Sequence, residues 1–231
     1  MEAQPKCNLI IDSCCDLPFE VIDRPGVQLL EFPYIDEKGE HSDDLYRTIT
    51  PHEFYEGMRA GSQPSTAQVP VTVFHDVFSK AIESGVPTVY LSFTSGLSGS
   101  FNTAVMMRDQ LIAEHPEAEL YVVDTYLASV AEALLVYEAL NQRDNGMTAR
   151  ELAAWAEEAR YFVDAEFMVD DLESLRRGGR IPSTVAYAGA KLDVKPLLNI
   201  SIEGKLALTG VARGRKKGIR QLAEYCSKRM T

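Results

Sequence analysis

The chain lacks any apolar run approaching the roughly 20 residues of a membrane span, and it has no apolar N-terminal stretch of the signal-peptide kind. No stable membrane insertion is therefore expected. Cysteine is scarce: Cys7, Cys14, Cys15 and Cys226 form no C-x-x-C pair, and the adjacent Cys14-Cys15 makes poor disulfide or metal geometry. A reducing, cytoplasmic setting is the expected localisation. Histidine is as sparse, with only His41, His52, His75 and His115, and no His/Cys/carboxylate group has metal-site spacing. No metal and no cofactor are expected. The phosphate-binding G-x-x-x-x-G-K-[ST] motif is missing, and Asp12-Ser13-Cys14 lacks the second aspartate of a phospho-aspartate mechanism. Gly178-Gly179-Arg180 has no strand-to-helix context and reads as a helix stop rather than a nucleotide loop.

What is present is enough chain for a large α/β domain or two smaller ones, 231 residues without need of disulfide staples. Charge is unevenly distributed: residues 1–175 carry 10 Lys and Arg against 31 Asp and Glu, whereas residues 176–231 carry 13 against 3. The resulting balances are −21 and +10. A basic end of this kind attracts a phosphate backbone, but the acidic remainder repels it, so no nucleic-acid partner is expected. An acidic protein or a phosphorylated ligand suits the same surface.

Short buried-type strands alternate with helical patterns. Asn8–Ile11, Thr88–Phe93 and Leu120–Asp124 are unalternating apolar runs, as in a parallel sheet covered on both faces. Val27–Ile35 reads as extended and Asp36–Leu45 as an acidic loop. Thr50-Pro51-His52-Glu53 and Thr148 with Glu151 are capping boxes. Ser65-Thr66 and Pro70 predict the opening of a helix that Gly85-Val86-Pro87 stops. A helix spans Ser129 to Asn145. Past residue 162 the pattern changes to a strand at Glu166–Val169, a short helix at Asp171–Arg177, a hairpin about Glu203-Gly204 and a basic helix at Lys216–Arg229. The expected fold class is α/β: an N-terminal parallel-sheet α/β domain over 1–162 and a smaller, basic C-terminal α+β domain over 163–231.

Two serine-rich turns carry most of the functional information, Gly61-Ser62-Gln63-Pro64-Ser65 and Thr94-Ser95-Gly96-Leu97-Ser98-Gly99-Ser100. Each is expected where one element gives way to a helix, so that hydroxyls and free N–H groups converge on one anionic spot. A serine-dependent acyl hydrolase is an alternative, because Gly96–Ser100 is one residue away from G-x-S-x-G. Its weakness is the histidine, which should follow the nucleophile; only His115 does, in a helix-ending His-Pro pair. A regulatory or nucleic-acid-associated role for the basic C-terminal region is a further alternative.

Six segments in order resemble the DegV family. Asp12-Ser13-Cys14-Cys15-Asp16-Leu17-Pro18 resembles its D-S-x-x-D-L-P opening, Ser62-Gln63-Pro64-Ser65 its T-S-Q-P-S turn, and Ser95–Ser100 its S-G-L-S-G-T loop. Leu172–Ile181 is similar to L-x-x-L-x-x-G-G-R-I, and Lys195-Pro196-Leu197-Leu198 and Arg213-Gly214-Arg215-Lys216-Lys217 complete the series. The resemblance implies a bacterial, non-catalytic lipid-binding carrier in phospholipid precursor metabolism. Such a carrier buries a long-chain fatty acid in an interdomain tunnel and presents its carboxylate to a separate fatty acid kinase. By position, Ser62 and Ser95 would bind the carboxylate, and Arg213 and Arg215 would face the kinase or its phosphate.

The chain departs from the family pattern in three places. Gly61 stands where threonine is usual, and Asp124–Ser129 keeps only part of a D-S-x-x-x-S pattern whose later glycines are Ala131 and Ala133 here. The family also continues past Thr231 to a His-Val-Gly-Pro-Gly-like turn. The second domain is accordingly expected to be incomplete relative to the family, through a shortened chain or a natural loss.

Overall fold

The computed structural model describes residues 5–170, 172–182 and 194–229, which fall into two compact units, 1–163 and 164–231. The first is built on a four-stranded parallel sheet: β1 (Asn8–Asp12), β2 (Val27–Leu30), β6 (Thr88–Ser92) and β7 (Leu120–Asp124), in the order β2-β1-β6-β7. The intervening strands β3 (Pro33–Asp36), β4 (Gly39–Ser42) and β5 (Ser65–Thr66) form a separate antiparallel sheet, β4-β3-β5.

The central strands look continuous in sequence because both faces are covered, yet alternate residues go to different cores. Leu9, Ile11, Val89, Leu91 and Val123 pack with Val136, Ala139 and Leu140 of helix α5 (Ser129–Asp144) and Leu152, Ala153 and Ala156 of α6 (Ala149–Ala159). Ile10, Leu30, Tyr90 and Leu120 face the other way. They meet Phe74 and Phe78 of α3 (Val71–Glu83) and Ala104, Met107 and Leu111 of α4 (Ser100–Glu114). The remaining helices of this unit are α1 (Phe19–Ile22) and α2 (Pro51–Arg59), the latter started by the predicted Thr50/Glu53 capping box.

Three expectations are corrected. Ser65-Thr66 does not open a helix: the two residues pair with Ile35 and Tyr34 as β5, and the helix begins only at Val71, after Pro70. The Asp36–Leu45 segment is not all loop, because β4 pairs with β3 across a hairpin. The extended run Val27–Ile35 is broken between two sheets. In each case strand pairing, across the hairpin or with more distant residues, overrides a local pattern.

The second unit contains β8 (Glu166–Met168), α7 (Glu173–Arg177), β9 (Val194–Ile200), β10 (Leu206–Arg213) and α8 (Arg215–Arg229), with an antiparallel sheet ordered β10-β9-β8. The expected start of its short helix at Asp171 lies outside the described residues. Leu172, Ile181 and Leu198 form its buried centre, and the buried Gly218 lets α8 approach so closely that a Cβ there would collide with Met168 Sδ. Among the described residues no helix is long and apolar enough to cross a membrane.

A buried arginine ties the first unit together. Arg143, 2% exposed, donates through Nε to the Cys7 carbonyl at 2.9 Å and through Nη2 to the Pro25 carbonyl, joining the entries to β1 and β2. Gly26 makes room for it: its φ is +72°, and a Cβ there would lie 2.6 Å from Arg143 Nη2. Leaving a buried carbonyl unpaired costs roughly 1–3 kcal/mol. Arg143→Leu is therefore expected to lower unfolding free energy by about 2–4 kcal/mol in urea titration, with the slope on denaturant unchanged.

Candidate rim for an anionic head group

In a parallel sheet ordered β2-β1-β6-β7 the chain reverses direction of winding between β1 and β6, and α/β sheets bind ligands outside the carboxyl ends of their strands at such a point. Asp12, Ser92 and Asp124 end the three strands concerned. Asp12 is fully buried and receives three donors: Cys14 N–H at 3.1 Å, Tyr90 O–H at 3.0 Å and Phe93 N–H at 2.7 Å. Asp124 receives Ser95 N–H at 3.2 and 3.3 Å and Tyr126 N–H at 3.0 Å. Thr94 N–H donates to the Leu127 carbonyl, and Thr125 donates through Oγ1 to the Ser92 carbonyl at 2.8 Å. The backbone around Ser95 is thus held from both flanking strands.

Within this turn the serines divide their work. Ser100 Oγ accepts from Val69 N–H at 3.0 Å and from the Ser98 hydroxyl at 3.0 Å, so both fix loops to each other. Ser95 is half-buried, and its hydroxyl has no hydrogen bond among the described residues. Positive φ angles at Asp16 (53°), Tyr126 (55°) and Ser129 (52°), none of them glycine, mark the same loops as conformationally constrained.

Ser62 sits elsewhere than the sequence suggests. It leads into β5 rather than a helix, and its hydroxyl donates to Glu37 Oε2 at 2.7 Å, which holds that carboxylate below its ordinary range. The loop that follows joins the Ser95 turn through Val69 N–H on Ser100 Oγ and through Gln68, whose side chain lies against Gly99. In the second unit, Arg213 ends β10, exposed and without an ion pair among the described residues, while Arg215 is committed to Asp170 at 3.2 Å. Lys195 and Arg229 are likewise paired, with Asp170 and Asp164.

The hydrolase alternative meets a geometric obstacle. His115 caps the far end of α4, so the helix, about 22 Å long at 1.5 Å per residue, separates it from Ser98. His41 is bonded to Asp36 and His75 to Asp76.

Two rim residues escape a sequence reading. Arg160 donates to the Asp124 carbonyl and stacks its guanidinium 4.3 Å from the Tyr126 ring. Glu132, in the first turn of α5, is fully buried with neither carboxyl oxygen hydrogen-bonded. The available signal for Glu132 was its place on the apolar stripe with Leu135, Val136 and Ala139. Burial, reinforced by Asp12, Asp16 and Asp124, drives its carboxyl well above the ordinary range; burial likewise lifts Asp12 to about 7.

These two groups hold protons more tightly folded than unfolded. Their contribution to stability is complete below about pH 4, the unfolded value, and is lost as pH rises through the folded values. Surface carboxylates such as Glu53, Glu151 and Glu173 are shifted downward, chiefly by hydrogen bonds from Thr50, Thr148 and Arg176, and act oppositely, losing stability only as pH falls. Glu132→Gln is therefore expected to be more stable than the parent at about pH 8, with the difference shrinking towards about pH 5. Urea midpoints across that range measure it.

Comparison with known proteins agrees with this architecture. A DegV domain-containing protein of Clostridium perfringens is 34% identical over 225 residues, 97% of this chain and 77% of the relative. A structure described as a stearic-acid-binding protein from Eubacterium ventriosum superposes with a TM-score of 0.85 at 26% identity, covering 97% of this chain and 76% of that one. One described as fatty acid binding of a DegV family protein from Thermus thermophilus gives 0.81 at 28% identity, covering 97% and 78%. An α/β protein with a parallel sheet whose strand order reverses between β1 and β6 is the class the fold defines. The chain belongs to the DegV family, described as uncharacterised proteins, whose pattern matches residues 6–231.

Proposed function

We propose that this chain is a non-catalytic carrier, acting in the bacterial cytoplasm, that binds a long-chain fatty acid in a tunnel between its two domains. It presents the carboxylate to a separate fatty acid kinase for acyl phosphate formation in phospholipid precursor metabolism. The observation that carries the reading is the Ser95 hydroxyl: half-buried at the switch point, held by its own N–H on Asp124, and free to donate. The binding of stearic acid by the Eubacterium ventriosum protein supports the ligand class. The kinase rests on the motif resemblance, and exposed Arg213, with Arg215 once released from Asp170, supplies the cationic surface for the kinase or its phosphate.

Affinity in this reading comes from the tail: about 14 buried methylenes contribute on the order of 10 kcal/mol at ~0.8 kcal/mol each. The head-group hydrogen bonds offset carboxylate desolvation and fix orientation. Hydroxyl donors suit a carboxylate destined to attack phosphorus, since they add no fixed positive charge. Ser62 is the second donor, and its bond to Glu37 competes with the ligand for its single proton.

Native mass spectrometry of protein purified from bacterial cells, followed by denaturing extraction, is expected to show one long-chain fatty acid per chain. An empty protein that also fails to take up added fatty acid would sink the proposal. In displacement of a fluorescent fatty acid, Ser95→Ala is expected to weaken binding roughly tenfold or more, as loss of a charge-assisted hydrogen bond. Glu37→Ala, by freeing the Ser62 hydroxyl, is expected to tighten it roughly two- to fivefold, and that gain should disappear in the Ser62→Ala background.

A further inference from the structure

The rim contains a carboxyl that the carrier reading leaves unused. Glu132 is fully enclosed, its oxygens have no hydrogen-bond partner, and the charges acting on it come from Asp12 on β1, Asp16 in the turn after β1 and Asp124 on β7. All three are carboxylates. From the same turn, Cys14 and Cys15 are held as neutral thiols by burial, and Tyr90 on β6 is held as a neutral phenol. Asp43, in the loop after β4, adds negative charge at Asp12. The nearby cation, Arg160, donates to the Asp124 carbonyl and the Tyr161 hydroxyl and keeps a buried Nε without a partner. No group of three ligands among the described residues is arranged to hold a metal ion that would offset these charges.

An ionised carboxylate in such surroundings costs several kcal/mol, so Glu132 carries a proton. Asp12 is different. Its three donors, Cys14 N–H, Tyr90 O–H and Phe93 N–H, suit a carboxylate. Glu132 and Asp12 are thus a pair of buried carboxyls holding one proton in total, on Glu132, with no hydrogen bond between them.

The pair lies beneath the head-group rim. Asp12 bonds the N–H of Phe93 and Asp124 bonds the N–H of Ser95, so a ligand carboxylate on the Ser95 hydroxyl adds a negative charge one hydrogen bond beyond groups that already repel one another. Poor screening in a buried setting makes that repulsion strong, and among the described residues the charges named above as acting on Glu132 are all negative. We propose that the Asp12–Glu132 pair takes up a proton from solvent when an anionic head group binds at Ser95, so that the protein binds a fatty acid carboxylate together with a proton. The only bond formed is O–H on the pair, and the proton comes from water or buffer. Asp12 is the group that accepts the proton in this scheme, since burial already favours its neutral form and Glu132 is protonated beforehand. The inference rests on the head-group reading of Ser95 given above.

Isothermal titration of the full chain with a soluble fatty acid salt, at about pH 7.5 in phosphate, HEPES and Tris, measures the proton count from the dependence of heat on buffer ionisation enthalpy. The expected result is uptake of roughly 0.5–1 proton per fatty acid, with affinity weakening up to about tenfold per pH unit above neutrality. In Asp12→Asn, which leaves no carboxylate there to protonate, the count is expected to fall to near zero and the affinity to become flat with pH, whereas Glu132→Gln, an amide in place of a neutral carboxyl, is expected to keep the uptake. The pH dependence of affinity in the parent chain gives the same readout should the Asn variant fold poorly. Intact binding with no proton uptake and no pH dependence in the parent chain, or an uptake unchanged in Asp12→Asn, overturns the inference while leaving the carrier reading in place. Absence of fatty acid binding by the parent chain overturns both.

Discussion

The Asp12 carboxylate is the constraint on which the rim depends. It sits at the end of the central strand β1, where its own turn at Cys14 meets a segment 78 to 81 residues on, the Tyr90 ring on β6 and the backbone of Phe93 just after it. A carboxylate is acceptor-only and has room for all three donors, whereas an amide at the same place would turn donors toward one of them. Asp124 repeats the arrangement on β7, on the other side of β6, with Ser95 and Tyr126. Two aspartates at the strand ends flanking β6 thus convert a flexible serine-glycine turn into a fixed platform. They also gather negative charge below it, which is why Glu132 has to be neutral.

In the proposed carrier reading, that economy explains the choice of serine over arginine for the head group. Arg160 is close by, and its guanidinium strengthens the platform through the Asp124 carbonyl and the Tyr126 and Tyr161 rings. The excess of acid in residues 1–175 is felt here too: the hairpin carrying Asp36, Glu37 and Glu40 lies beside Ser62, and Glu37 takes the hydroxyl proposed above as a donor to the ligand. The basic end of the chain is less available than its composition suggests, since Arg176, Lys195, Arg215 and Arg229 are each paired with a neighbouring carboxylate.

Much of this architecture is legible from the residues alone, for identifiable reasons. The buried strands at residues 8–12, 88–92 and 120–124 carry a strong local signal, and the two capping boxes form with the reciprocal bonds that their spacing requires. The Ser95 turn was legible as well, because the turn after a buried parallel strand has few places to go. What local pattern failed to deliver was the β3-β4-β5 sheet: Ser65-Thr66 has a helix-opening composition, and only its pairing with Tyr34 and Ile35 makes it a strand.

By itself, then, the sequence determined the class of fold, the order of its parallel strands along the chain, the family and the hydroxyl-rich turn after β6. These follow from patterns within a few residues of one another, and from motif order. Tertiary structure alone decided which hydroxyl is free and which is taken. Ser62 is bound to Glu37, 25 residues away; Ser100 is bound to Val69, 31 residues away; Ser95 is free because its partner Asp124 binds the backbone and not the side chain. It likewise decided that Glu132, an ordinary helix residue by type, lies enclosed among carboxylates. Hydrogen bonds and desolvation depend on which groups meet in space, and that is information no local pattern contains.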